Sequence, residues 1–505
     1  MKGARPPAYS VESELRRIRI GPDGPRIAAF FDFDGTIIEG ITPVRSGLSG
    51  LHGANTAAPL LSGLTGRKSD AHRRSVQRLV SESWRGRAVG DLEEAEEQLF
   101  QKHIARNLYP EAWELVRAHQ RAGHTVVLAT SATRFQVRRL AAELGIEHTL
   151  CTEPIVSDER ITGEIAGELV WGRYKAELVK EFAVAHDIDL EKSFGYSNGG
   201  VDTPMLRLTG NPTAVNPDRA LTRAATGPGW RVLRFERRRP GPYRIGRTLI
   251  GALAMVVAAC AGFLCAPAGD RRTAIDRMYR WVSTAVLRGA GLRIRVTDAD
   301  KARVIRPAVF VFNHQSQIDS MIIPYILRES FTPVVTIKVK HYPVFGALLR
   351  FVGTLFIDRS TPGGAKEALN SLVVQLRTGR SVAIAPEGRI SPTPRLQDFK
   401  QGAFRLAAQA GVPIVPIVIR DAGRAMWRKA LTIRPGTIDV MILDPIDTCS
   451  WEPEDLGTQI AAVRRLYLDT LEQWPDATCE APSSERENQR ARVAQDLSAR
   501  LPHGE

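Results

Sequence analysis

Short apolar runs that end in polar loops alternate with stretches of helical period along much of the chain. IAAFFDF, HTVVLAT and EKSFGYSN are such runs in the first half, and Asp91 to Arg106 and Arg134 to Leu144 are helix-period stretches between them. This alternation predicts an α/β fold with a parallel sheet from about Arg26 to Glu236, with ligands gathered at the carboxyl ends of the strands. From Asp270 to about residue 474 the pattern is again α/β. Strands are predicted over Leu292 to Thr297, Ala308 to Phe312, Thr332 to Ile337, Thr354 to Ile357, Ser381 to Ala385 and Ile414 to Ile419. Residues 1–25 read as an N-terminal extension, 237–269 as a linker, and 475–505 as a polar tail.

Within the linker, Thr248 to Ala266 carries no charged side chain. Its length, roughly 19 residues, is about that needed to span a bilayer. It is preceded by Arg231, Arg234, Arg237, Arg238, Arg239, Arg244 and Arg247 against a single acid, Glu236. A basic cluster beside an apolar segment suits an anionic cytoplasmic leaflet. The whole chain of 505 residues carries a formal charge of +14, which favours an anionic partner. No nucleic-acid motif or interleaved aromatic platform accompanies the arginines, so the expected partner is an anionic membrane and not nucleic acid. The five cysteines form no CxxC pair, which argues against a zinc site or a disulfide framework and suits a reducing compartment.

Two constellations carry chemistry. In NHQSQIDS, His314 and Asp319 follow an apolar run. A histidine there can take a proton from an alcohol, and a carboxylate on its other nitrogen fixes the tautomer and stabilises the imidazolium. The acceptor's own hydroxyl then serves as nucleophile. GTLFIDRS, APEGRIS and FKQGAFRLAAQAGVPIVPIVI follow in order. Together these blocks resemble the glycerolipid acyltransferases of the 1-acylglycerol-3-phosphate acyltransferase family. The resemblance implies His314 as base and Asp319 as its orienting partner. It further implies Arg359 on the acceptor's phosphate, Glu387 and Gly388 shaping the acceptor site, and Arg389 as a further phosphate contact. The chain departs from the family by placing Arg389 where threonine usually follows Glu-Gly, which leaves the acceptor open. The acyl donor is expected to be acyl-CoA or an acyl carrier protein thioester.

In FFDFDGTI, Asp32 and Asp34 sit at a strand-to-loop junction with Gly35 and Thr36. Two carboxylates so placed can share one phosphoryl group: the first attacks phosphorus, and the second protonates the leaving oxygen and then activates water. LATSATRF supplies Ser131 as a donor to phosphate, WGRYK supplies Lys175, and GYSNGGVDTPML supplies Asn198 and Asp202. The set resembles the haloacid dehalogenase superfamily in its phosphoserine-phosphatase-like branch, with a helical cap over about 39–108. The resemblance implies a Rossmann-like fold and a Mg2+ held by Asp32, Asp34, Asn198 and Asp202. Asn198 stands where that family usually has an aspartate, and fewer ligand charges weaken metal binding. A non-catalytic, ligand-sensing domain therefore stays open beside a phosphomonoesterase.

The expectation for the whole chain is acyl transfer from a thioester to 1-acylglycerol-3-phosphate, giving phosphatidate, at the cytoplasmic face of the cell membrane. Another lipid or polyol acceptor remains an alternative. The segment Thr248 to Ala266 is expected to be re-entrant or interfacial, because a single span would separate two domains that both look cytosolic.

Overall fold

The structure is a computed structural model that describes residues 8–40, 42, 85–236, 241–265, 271–336, 355–357, 362–428 and 430–474. Each half is built on its own seven-stranded sheet.

The N-terminal strands are β1 (Ala8–Tyr9), β2 (Ala28–Phe31), β3 (Thr125–Thr133) and β4 (His148–Thr152), then the hairpin β5 (Pro154–Ser157) and β6 (Arg160–Ile165). β7 (Phe194–Ser197), β8 (Asn211–Val215) and β9 (Arg231–Leu233) complete the set. The sheet order is β1-β9-β8-β7-β2-β3-β4, parallel throughout. β2 and β7 are buried along their whole lengths. That is why they read as unbroken apolar runs: helices cover both faces of a parallel sheet. One core, holding Phe31, Leu128, Val137 and Tyr196, lies on one face. A second, holding Phe30, Val127, Val179 and Leu221, lies on the other. The Arg134–Leu144 helix starts on a capping box between Thr133 and Gln136 and stops at Gly145, whose φ of 67° suits glycine.

Residues 8–25 are not a separate extension. β1 pairs with β9, and the Val11–Ile20 helix inserts Glu14, which is fully buried. Arg17 and Arg231 neutralise Glu14, and the Tyr196 hydroxyl donates to it at 3.0 Å. A buried carboxylate is tolerated only when paired in this way. Of the expected cap, residues 41 and 43–84 lie outside the described residues, as does the tail 475–505.

The C-terminal strands are β10 (Leu292–Thr297), β11 (Val309–Phe312), β12 (Phe331–Thr336), β13 (Leu355–Ile357), β14 (Ser381–Ile384), β15 (Ile414–Arg420) and β16 (Gly436–Ile442). Their order is β10-β16-β15-β11-β14-β12-β13, and only the β15–β16 pairing is antiparallel. β16 was not among the expected strands. Its inward Ile438, Val440 and Ile442 alternate with outward positions, as in a half-buried strand near an edge.

The segment expected to be a linker is part of this half. It forms the Pro242–Leu264 helix, which lies antiparallel against the Arg271–Gly289 helix. Gly251 sits against Val286 and Ala290, and Gly262 against Met278, so missing side chains let the two backbones approach closely. Met255, Ala258 and Ala259 pack on the second half's core.

Candidate active sites and family membership

β2 lies between β3 and β7, so the loops after these three strands share one edge of the first sheet. Asp32 follows β2 directly and is nearly buried. Lys175, on the Gly172–Ala185 helix, reaches Asp32 Oδ1 and Asp202 Oδ1, both at 2.9 Å. Ser197 Oγ donates to Asp202 Oδ2 at 2.7 Å, and Thr36 Oγ1 to Asp32 Oδ2 at 3.3 Å. Burial pushes the Asp32 carboxyl up to about 6; Lys175 pulls against this and Asp202 adds to it. Burial by itself depresses Lys175, but the two carboxylates outweigh it and hold the ammonium well above its ordinary value.

The Asp34 carboxylate accepts from the Thr42 amide at 2.8 Å and the Thr42 hydroxyl at 2.7 Å. Burial nonetheless lifts Asp34 to about 7, so a large share of it is protonated at neutral pH. Asn198 lies over Gly35, where a Cβ would overlap its side chain and where φ is +80°. Only glycine suits both the conformation and the close approach. Ser131 sits in the carboxyl-terminal part of β3, half-buried, at the same sheet edge. Asp32, Lys175 and Asp202 are therefore directly connected, Asn198 adjoins the loop, and Ser131 shares the edge. Thr42 went unmarked in the sequence because no local pattern ties it to Asp34.

Among the described residues no three His, Cys, Asp or Glu side chains are gathered as a metal group. The oxygen donors at this edge include Asp32 and Asp202, already shared with Lys175, the Asp34 carboxyl held by Thr42, and the amide of Asn198. A hard cation that keeps several waters needs only one or two carboxylates, so this set fits a weakly held Mg2+.

In the second sheet, His314 follows β11. Its Nδ1 lies 2.9 Å from Asp319 Oδ2, which also accepts from the Gln315 amide at 3.0 Å and the Ser316 amide at 2.9 Å. Asp319 is fully buried at the start of the Asp319–Leu327 helix, and its Oδ1 has no hydrogen-bond partner. The His314 ring keeps 21% of its surface exposed. With Nδ1 donating to Asp319, Nε2 is left to take a proton from a substrate.

Glu387 follows β14 and is 2% exposed. Its carboxylate accepts from the His314 amide at 2.6 Å and the Gln397 amide at 2.9 Å, so both oxygens are spent on backbone. Burial lifts Glu387 to about 7 against the pull of those two amides. Gly388 has φ 71°, and Arg389 is exposed. Arg359 lies outside the described residues. Gln397 was not anticipated, since it acts through its backbone amide, for which side-chain identity gives no signal.

Comparison with known proteins agrees with both constellations. A family model described as haloacid dehalogenase-like hydrolase matches residues 29–207, and one described as acyltransferase matches 293–420. A Streptomyces azureus protein named for inhibition of morphological differentiation is 31% identical over 259 residues, covering 48% of this chain and 92% of its own length. The chain belongs to the haloacid dehalogenase-like hydrolases and carries an acyltransferase domain behind that unit. The haloacid dehalogenase-like half is also 30% identical over 259 residues to phosphoserine phosphatase SerB1 of Mycobacterium tuberculosis, covering 49% of this chain and 81% of that protein. The acyltransferase half is 32% identical over 196 residues to a 1-acyl-sn-glycerol-3-phosphate acyltransferase of Cocos nucifera, covering 39% of this chain. The match spans 61% of the coconut protein's length.

Proposed function

We propose that the acyltransferase domain transfers an acyl chain from a thioester, acyl-CoA or acyl carrier protein, to the free hydroxyl of 1-acylglycerol-3-phosphate, forming phosphatidate. The observation that carries the reading is the half-open His314 ring held by a buried Asp319 at 2.9 Å. His314 Nε2 takes the hydroxyl proton as the oxygen attacks the thioester carbonyl. The carbon–sulfur bond then breaks, and the imidazolium returns the proton to the thiolate. Asp319 stabilises the imidazolium, and Glu387 holds the peptide that carries the ring. Arg359 and Arg389 are the proposed phosphate contacts, and Arg389 is exposed. Purified protein should acylate lysophosphatidate with labelled acyl-CoA in preference to neutral monoacylglycerol. Equal rates on both would remove the phosphate from the reading.

For the haloacid dehalogenase-like domain we propose phosphomonoester hydrolysis. Asp32 attacks phosphorus, Asp34 protonates the leaving ester oxygen, and water then cleaves the aspartyl-phosphate. Lys175 and Ser131 are the proposed contacts to the phosphoryl oxygens. Mg2+, held by Asp32, Asp34, Asp202 and the Asn198 amide, would offset the charge of the approaching anion. The amide at position 198 favours the second reading, a ligand-sensing domain without turnover. Phosphate release from a panel of phosphomonoesters, with Asp32→Asn as control, decides between the two.

The membrane reading is an interfacial helix. The helix is long and apolar enough to cross a membrane, and of residues 242–262 only Gly251 and Gly262 are buried. Leu249, Leu253, Val256 and Val257 form an exposed stripe, while the opposite face packs on the acyltransferase core. The two halves also contact each other through hydrogen bonds, such as Trp427 Nε1 to the Ala105 carbonyl at 3.0 Å. That contact supports placing both on one side of the bilayer, with the stripe lying in its surface.

A further inference from the structure

The loop that fixes His314 has no regular structure of its own. Residues 391–400 form neither helix nor strand. Yet the Ser391 amide donates to the His314 carbonyl at 2.7 Å, Gln315 Nε2 to the Pro394 carbonyl at 3.0 Å, and the Gln397 amide to Glu387 at 2.9 Å. Glu387 in turn holds the His314 amide. The peptide carrying the base is thus gripped at both its N–H and its C=O by groups that depend on this loop.

The far side of the loop rests on the other domain. Glu143, on the Arg134–Leu144 helix, is 3% exposed. Its Oε1 accepts from Thr393 Oγ1 at 2.5 Å and from Gln397 Nε2 at 3.2 Å. Its Oε2 pairs with Arg139 at 3.0 Å, one turn back on the same helix, which neutralises the buried charge. Arg395 adds a bond to the Ala142 carbonyl at 3.2 Å. Within the acyltransferase domain, Arg464 also holds the loop through the Leu396 and Gln397 carbonyls. The Thr393 hydroxyl also accepts from the Arg395 amide at 3.3 Å, and Gln397 Nε2 donates to the Arg395 carbonyl at 3.2 Å, so Glu143 grips these two side chains from the other domain while they bond within the loop as well.

We propose that the haloacid dehalogenase-like domain has a further function that needs no phosphate chemistry: through Glu143 it holds the 391–397 loop, and so positions Glu387 and His314 for acyl transfer. Glu143 is a positioning residue. It touches no reacting atom and acts through Gln397 and Glu387. The effect on catalysis rests on the acyl-transfer reading above, but the grip itself is a property of the fold. A buried carboxylate neutralised within its own helix and spent on two polar side chains of another domain is a poor choice for mere adhesion. Apolar packing serves adhesion without the desolvation cost.

The test uses the full chain with Glu143→Ala, Glu143→Gln, Gln397→Ala and the Glu143→Ala/Gln397→Ala double variant. Gln397→Ala keeps the backbone amide that Glu387 needs; it cuts the link across the domains together with the Gln397 Nε2 bond to the Arg395 carbonyl inside the loop. Acyl transfer is measured against pH with lysophosphatidate and labelled acyl-CoA, and hydrogen exchange is followed over residues 386–398. Loss of the grip should lower kcat about tenfold or more, since small misplacements of catalytic groups are costly, with KM for acyl-CoA within about twofold. Both single variants should raise exchange in that peptide, and the double variant should be no worse than the worse single one, because both cut the same link. Glu143→Gln, which keeps an acceptor oxygen, should recover a large part of the rate. A loosened Gln397 amide should also move the acid limb of the rate to higher pH, which a loss of stability alone does not do. Wild-type exchange and wild-type kcat in Glu143→Ala would overturn the proposal, as would fully additive effects. If Glu143→Ala does not fold, Gln397→Ala carries the same test from the acyltransferase side. A wild-type protein without acyl transfer would sink the functional reading alone, and the exchange data would still decide the grip.

Discussion

Replacing Asp319 by asparagine changes one charge at the centre of the acyltransferase site and little else. Asp319 Oδ2 serves three donors: His314 Nδ1, the Gln315 amide and the Ser316 amide. An asparagine oxygen can keep all three, while its nitrogen falls where Oδ1 now lies buried without a partner. What is lost is the charge opposite the imidazolium. A hydrogen bond to a charged group contributes about 1.5–3 kcal/mol and a neutral one about 0.5–1.5, so the transition state loses about 1–2 kcal/mol. At about 1.4 kcal/mol per decade, kcat should fall roughly 5- to 30-fold. KM for both substrates should stay within about twofold, because neither is proposed to touch Asp319. The orphaned amide should also cost about 1–3 kcal/mol of stability, read as a lower Tm. Asp319→Ala is the harsher change: it strands two backbone amides and should lower Tm further. The assay is steady-state acyl transfer with labelled acyl-CoA. If Asp319→Asn kept kcat within about twofold while His314→Ala was inactive, the charge would not act in the transition state, and Asp319 would be a loop brace only.

Three further outcomes follow from the same geometry. Glu387, raised to about 7 by burial, is ionised at pH 8 and accepts both backbone amides; as pH falls through 7 it gains a proton and loses one acceptor, so acyl transfer should fall on that side. Glu387→Gln, fixed in the neutral form, should show a lower plateau with less of that acid-side decline. Lys175→Met leaves Asp32 and Asp202 buried side by side without their shared cation, so phosphate release should drop by at least about 10²-fold and Tm should fall. Leu253→Asp with Val257→Asp places charge on the exposed stripe: binding to anionic liposomes in a flotation assay should weaken by about 10-fold or more, with Tm nearly unchanged.

What the sequence revealed and what it hid follow from the range over which each interaction acts. The strands carrying Asp32 and His314 were legible because a buried parallel strand writes itself as an apolar run, with the chemistry in the loop behind it. The pairing of His314 with Asp319 was legible for the same reason, both lying on one short turn. Glu387 stood out only as part of a motif, expected to shape the acceptor site; that it holds the His314 and Gln397 backbone amides emerges from folding. Glu14 gave no signal, since a charged residue in an amphipathic helix usually faces water, and here it is buried against Tyr196 and Arg231. The seam between the domains was equally silent. Glu143 and Thr393 are 250 positions apart; the period of the Arg134–Leu144 stretch marks a helix but not the partner of Glu143, and Thr393 lies in no motif.

The most direct test of the account is the lipid product formed from lysophosphatidate and labelled acyl-CoA by wild-type protein, His314→Ala and Asp32→Asn. Labelled phosphatidate is expected from wild type and from Asp32→Asn, and none from His314→Ala. Phosphatidate formed at the wild-type rate by His314→Ala, or no acylated product from any of the three, would contradict it.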